Sequence, residues 1–387
     1  MTLLTRPRRA VLAAFAMNGF AAASWVSRVP AFRDHFALSD AHLGLVLLSV
    51  SAGAVLALPT TGVVVARIGT ATTVRAGCLV TAVGLALMGL APAVWMLVVG
   101  MVLTGVGSGS WDVAMNVEGA EVERLAGRSV MPRFHAAYSL GTVAGALLGV
   151  GLTAAHVPTA WHLVAVAVLV LVTNQAAVTG FLPADISSQA HPGGEGVLPR
   201  RPFAAWRETG VLAIGLLVLC FAFAEGTAND WLALGIVDGY RVPNAVGVAA
   251  FALFVSAMTA GRVFGTHLLD RYGRVVVLRA TAGCAVAGVL LVVFGTLPLG
   301  MVGALIWGVG ASLGFPIGMS AGGDEPAHAA ARVSVVSSIG YTAFLAGPPF
   351  VGFLAEHVGV LHALLSVVVV LVAGALLAPS CQTSARS

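Results

Sequence analysis

The sequence predicts an all-α membrane protein: twelve transmembrane helices in two pseudo-symmetric six-helix bundles. Three observations predict it. Hydrophobic residues make up 58% of the 387 and charged ones 9%, whereas soluble domains run near about 45 to 50% and about 25%. Apolar runs of about 20 residues, the length that crosses roughly 30 Å of hydrocarbon, are centred near residues 20, 54, 83, 105, 146, 171, 221, 257, 289, 309, 345 and 370. One long polar break, 182–209, divides them six and six.

The first run follows Arg6, Arg8 and Arg9 and continues from Ala10 to about Val29. It outlasts the apolar core of a cleaved leader and counts as a span. Later breaks fall at Pro, Gly or Arg. The long break contains HPGGEG and LPRRP and reads as a flexible linker. The predicted organisation is therefore an N-terminal bundle over 1–181, a cytoplasmic linker over 182–209 and a C-terminal bundle over 210–387.

All 20 basic residues are Arg, and they occupy short loops between apolar spans, where they orient the chain and do not bind polyanions. Nucleic acid is not an expected partner. With the N-terminus inside, 17 of the 20 fall on or near the cytoplasmic side, and Arg28, Arg33 and Arg241 fall outside. Both termini are expected at the cytoplasmic face of the inner membrane. The absence of Lys removes a P-loop lysine and Schiff-base chemistry. No HExxH, nucleophile elbow or CxxC occurs, so an enzyme, a metal site and a cofactor are not expected.

The halves repeat weakly at a nearly constant offset. Trp25 returns as Trp231, Gly44 as Gly247, Arg67 as Arg271, Gly105 as Gly308, Glu121 as Glu325 and Arg128 as Arg332, at separations of 203 to 206. Collinear matches of this kind point to duplication.

The stretch GVGSGSWDVAMNVEGAEVERLAGR (105–128) begins as an apolar helix and ends in charge. Gly105, Gly109, Asp112 and Asn116 share one helical face. Small residues there admit a neighbouring helix, and the same face carries a carboxylate and an amide. A carboxylate within a span costs about 2.5 to 3.5 kcal/mol on insertion scales and is a functional candidate; the plain alternative is a paired or solvated Asp112 near the helix end. In FAFAEGTANDW (221–231), Glu225 lies roughly 22 Å and Asp230 roughly 30 Å along the helix from Gly210. Glu225 shares a face with Asn229 and is either a second titratable group, a hydroxyl acceptor or a structurally paired carboxylate. Arg28 lies at a depth close to that of Asp230, so the two form a candidate outer gate, or else meet lipid headgroups separately. Asn18 and Trp25 share a face. Trp111 precedes Asp112 and is a candidate ring platform for a sugar. Arg262 is placed to neutralise an anionic solute, to hold Asp112, or to anchor the cytoplasmic end of its span.

These residues resemble the major facilitator superfamily over essentially the whole chain. DRYGR (270–274), with Arg279 after it, is similar to the superfamily's G-x-x-x-D-R-x-G-R loop, although Thr266 occupies the glycine position. In the first half GVVVARIG (62–69), followed by Arg75, matches less well because Ala66 replaces the acidic residue. The resemblance implies a cytoplasmic latch made of Arg67, Arg75, Asp270, Arg271 and Arg274. The E-x6-R spacing of Glu121 and Arg128, repeated by Glu325 and Arg332, resembles the sugar porters and implies a charge network that gates the inner side. Asp112 followed by Asn116 is similar to the fucose/proton symporter branch, which implies proton coupling at Asp112 and a solute-facing amide at Asn116. The acidic residue of that branch's first span is absent, Asn18 standing there, and Glu225 is the expected substitute.

The expectation that follows is a proton-coupled secondary transporter of a small polar, sugar-like solute, working by alternating access as a monomer in the lipid bilayer. Asp112 and Glu225 are the proton-coupling candidates; Asn18, Asn116, Trp111, Asn229 and Arg262 are the solute-binding ones. Proton-driven efflux of drugs or metabolites is the alternative, because GYTAFLAGPPFVG (340–352) resembles the Gly-Pro antiporter signature.

Overall fold

Lipid supplies no hydrogen-bond partners, so a chain this apolar must pair its backbone internally. The computed structural model is helical throughout, with no strand among the residues it describes, 4–126, 130–182, 205–325 and 329–382. Twelve segments have the length and apolarity of membrane spans: Thr5–Phe36, Asp40–Ala57, Thr60–Leu90, Val94–Ala126, Arg133–Ala154 and Thr159–Val178, then Thr209–Tyr240, Asn244–Gly265, Arg271–Phe294, Leu297–Gly322, Arg332–Val358 and Val360–Cys381. They are spans one to twelve below. Each contains one of the predicted centres.

The chain divides into two compact units, Met1–Leu38 with Leu45–Gly194, and Ser39–Gly44 with Glu195–Ser387. The main division falls inside the predicted linker, most of which lies outside the described residues. The grouping of Ser39–Gly44 with the second unit has no counterpart in a strictly linear division.

In the first unit span one packs on spans five and six. Span four approaches span two so closely that a Cβ on Gly105 would lie 2.0 Å from the carbonyl oxygen of Val50, a contact only glycine permits. Span one is not one straight helix: it runs Thr5–Val26, breaks at Ser27 and Arg28, and resumes as Val29–Phe36. Pro30 has no N–H for the Val26 carbonyl, which accounts for the break.

In the second unit span seven packs on spans eleven and twelve, and span ten packs on the helix that carries spans eight and nine. Span seven widens into a π turn at Ala228–Leu232. Span ten is interrupted between Leu297–Ala311 and Gly314–Gly322. Here Pro316 cannot donate to the Ser312 carbonyl four residues back.

Backbone devices recur at the offset of 204 that the sequence repeats. Gly69 (φ 80°) breaks the helix Asp40–Leu90, and Gly273 (φ 74°) breaks Asn244–Phe294. Ala37 and Arg241 both close their helices in the left-handed conformation. A Cβ on Gly308 would lie 2.3 Å from the Phe254 carbonyl, repeating the contact of Gly105 with Val50.

Candidate functional site

The polar groups of the first unit begin with Asp112 and Asn116. Both are half-buried on span four, and the Asn116 Nδ2 donates to the Asp112 carbonyl at 2.8 Å and to Asp112 Oδ1 at 3.3 Å. The shared face therefore exists. No cation pairs with Asp112 among the described residues. Asn18 is buried and donates to the Ser108 carbonyl at 3.4 Å, tying span one to span four. Trp111 is 0% exposed and stands against Gly77 of span three. Its ring offers no open face to a solute, so packing explains it better than recognition.

Below that face, charge is organised differently from expectation. Glu121 pairs with Arg124 one turn on, with Nε to Oε2 at 2.9 Å, while Arg128 lies outside the described residues. Glu123 accepts from the backbone N–H groups of Val130 and Met131 at 2.6 and 2.7 Å, holding the start of the next helix. Glu118, absent from the predicted set, is 0% exposed. It accepts from Thr70 Oγ1 at 2.5 Å and from the Leu182 N–H at 2.7 Å. One carboxylate thus joins the turn after Gly69, span four and the chain beyond span six. The expected latch residues Arg67 and Arg75 are exposed instead.

Arg28, expected to meet Asp230, engages a partner in its own unit: its Nε–H donates to His162 Nδ1 on span six at 2.8 Å. The sequence signal for this histidine is thin. A lone His in the first turn of an apolar helix carries no periodicity.

In the second unit the central feature is an ion pair. Arg262 Nη2 on span eight donates to both carboxylate oxygens of Glu225 on span seven, at 2.8 and 3.0 Å. Arg262 Nε donates to the Ser312 carbonyl at 3.3 Å. That carbonyl is the one Pro316 leaves free, and a guanidinium at the broken end of a helix also meets the negative end of its dipole. Of the three roles expected for Arg262, holding Asp112 is not seen among the described residues, where its carboxylate partner is Glu225. The signal that points to Ser312 is the proline four residues on. Asn229 and Asp230 lie half-buried within the π turn, whose wider winding takes them off the α-helical register assumed from sequence. Neither has a hydrogen bond or ion pair among the described residues.

At the other end of this unit Arg274 holds Asp324 (Nη2 to Oδ1 2.9 Å) and the Ser320 hydroxyl. Arg332 bridges Glu325 at 2.5 Å and Glu208 at 2.7 Å, so the second E-x6-R pair closes directly and recruits Glu208. Arg271 lies 5.3 Å over the Tyr272 ring. The Asp270 side chain is outside the described residues. No group of three or more potential metal ligands occurs among the described residues.

Comparison with known proteins agrees with this architecture. The chain is 34% identical over 362 residues to an uncharacterised transporter of Sinorhizobium fredii, covering 92% of this chain and 93% of the relative. It is 31% identical over 352 residues to an uncharacterised MFS-type transporter of Yersinia pestis, covering 89% and 87%. Among solved structures it resembles a point mutant of the nucleoside transporter NupG, with a TM-score of 0.80 at 14% identity, covering 98% of this chain and all of that one. It also resembles a bacterial homologue of the human lysosomal transporter Spinster, with a TM-score of 0.77 at 13% identity, covering 100% and 99%. At such identities these structures speak for the fold. The family profile matches residues 10–343, and with twelve candidate spans and relatives that are transporters, the chain is a membrane transporter of the Major Facilitator Superfamily.

Proposed function

We propose that the protein is a proton-coupled secondary transporter that moves a small polar, sugar-like solute across the cytoplasmic membrane by alternating access, with both termini cytoplasmic. The observation that carries this reading is Asp112, a half-buried carboxylate in span four with an amide on its face and no cation beside it among the described residues. A coupling group must bind its proton with different affinity in the two states of the carrier, because a ligand shifts a conformational equilibrium only by differential binding. A carboxylate without a fixed cation can exchange that proton without breaking an ion pair. Glu225 is placed less well for the task, since its protonation would strip Arg262 of its partner. We assign the Glu225 and Arg262 pair, with Asn116 and Asn229, to solute recognition. The ion pairs of Arg274 with Asp324 and of Arg332 with Glu325 and Glu208 are assigned to the inner gate of the second unit, and the Glu118 network to that of the first.

Export of a metabolite or drug is the second reading, favoured by Pro348 and Pro349 inside span eleven between Gly347 and Gly352. A thermal-stability screen of the purified protein against sugars, sugar acids, nucleosides and cationic drugs, at two pH values and beside Asp112→Asn, separates the two. A ligand at about 100 times its Kd stabilises by about 2.7 kcal/mol. Import predicts stabilisation by a polar solute that depends on pH in the wild type and not in the variant. Stabilisation by bulky apolar cations alone supports export.

A further inference from the structure

The contact between Arg28 and His162 has no role in the site described above. Arg28 is 3% exposed and His162 1% exposed, so a guanidinium is enclosed with a neutral ring as its bonded partner. The bond fixes the protonation state of the ring. Arg28 Nε–H is the donor, so His162 Nδ1 must present its lone pair and the ring proton must be on Nε2. Arg28 Nη2 and His162 Nε2 are themselves buried with no hydrogen-bond partner among the described residues. Two donors are left unsatisfied around one bond, and unsatisfied buried donors are costly. The arrangement stands only while His162 is neutral.

No carboxylate pairs with Arg28 among the described residues. Span five from Ser139 to Ala154, span three from Leu79 to Leu90 and span four from Val94 to Trp111 contain no titratable group, and span six contains only His162. Gly89 of span three packs on Ala160 and Leu163 beside His162. The titratable groups nearby in sequence are Arg33 and Asp34, which pair with each other at 3.4 Å, His35, Asp40 and His42 at the start of span two, and the exposed His156. Trp161, next to His162, is 72% exposed, as tryptophans at a membrane–water interface are. His162 is the fourth residue of the helix Thr159–Val178, about one turn from its start. Arg28 itself occupies the break between the two helices of span one, where movement of one residue changes the direction of the next helix.

We propose that His162 is a proton-binding site whose protonation releases Arg28 from its buried position and frees the helix Val29–Phe36. The proton adds to the Nδ1 lone pair, an N–H bond forms, and the hydrogen bond from Arg28 Nε breaks; nothing is oxidised or reduced. Two cations are then left at bonding distance in a low-dielectric setting, which drives them apart. Use of this switch in the transport cycle rests on the proton-coupled reading above.

Hydrogen–deuterium exchange of the segment Val26–Ala37, on protein in lipid nanodiscs at about pH 5.5 and about pH 7.5 and corrected for intrinsic exchange, tests it. In the wild type, protection should fall about tenfold or more at the acid pH. His162→Asn keeps an acceptor at the Nδ1 position without titrating and should remain protected at both. Arg28→Gln removes the repelled cation and should also be insensitive to pH. Equal corrected protection at both pH values in the wild type, or the same acid loss in His162→Asn, overturns the proposal. Proton flux in liposomes is read separately: a switch that operates without solute-driven proton flux leaves this proposal standing and sinks the coupling reading, and flux without the switch does the reverse.

Discussion

Removing Arg262 leaves the Glu225 carboxylate without its cation, whereas removing both charges leaves two neutral side chains. Breaking a buried pair from one side costs about 3 to 5 kcal/mol, and this pair, being partly exposed, belongs at or below the lower end. Arg262→Met should therefore lower thermal stability sharply, and Glu225→Gln with Arg262→Met should recover much of the loss in a double-mutant cycle. Glu118 makes a second residue-scale case. Glu118→Ala leaves the Leu182 N–H and Thr70 hydroxyl unpaired in the interior, at about 1 to 3 kcal/mol for a buried group. Thr70→Ala removes only one donor and should cost less, as read by the unfolding midpoint. Individual charges such as Asp112 and Glu225 stand out in the sequence because they interrupt apolar runs. Their partners do not, since nothing in a linear pattern says that Arg262 faces span seven or that Glu118 reaches residue 182.

Elements are easier to read. Each apolar run of span length becomes a helix because lipid leaves the backbone no other way to pair, and Gly105 is legible as a close-approach position. Gly105→Ala and Gly308→Ala should each destabilise, since the added methyl meets a backbone carbonyl at 2.0 and 2.3 Å that cannot step aside; overpacking costs typically about 1 to 3 kcal/mol. Gly69→Ala and Gly273→Ala meet open space but at φ 80° and 74° with ψ 164°, a region essentially reserved for glycine, so each should cost about 1 to 3 kcal/mol through backbone strain. Measured unfolding midpoints will separate the clash from the strain, because Gly→Ser should cost no more than Gly→Ala at 69 and 273, where nothing lies within 4 Å of an added Cβ, and more than Gly→Ala at 105 and 308. The interruptions inside spans are harder. The break at Ser312 has a sequence cause in Pro316, but the π turn at Ala228–Leu232 has none that we can name, and it moves Asn229 and Asp230 off the register that periodicity assigns.

At the scale of the whole molecule, the duplication extends to backbone devices and stops short of the chemistry. The close-contact glycines recur at an offset of 203, and the left-handed caps and the broken helices at Gly69 and Gly273 at 204. At that same offset Asp112 falls on Pro316 and Arg262 on Leu58. Neither Asp112 nor Arg262 is thus repeated in the other half, and among the described residues Asp112 has no cation partner while Glu225 has Arg262. Twofold hydropathy and loop arginines carry the architecture in the sequence; the division of labour emerges only when partners are placed. The most direct test is solute-driven proton movement in proteoliposomes with a trapped pH dye, using a polar solute that stabilises the purified protein. The account predicts that adding this solute outside acidifies the lumen for the wild type and not for Asp112→Asn. Solute entry without acidification, or equal acidification by the variant, would contradict it.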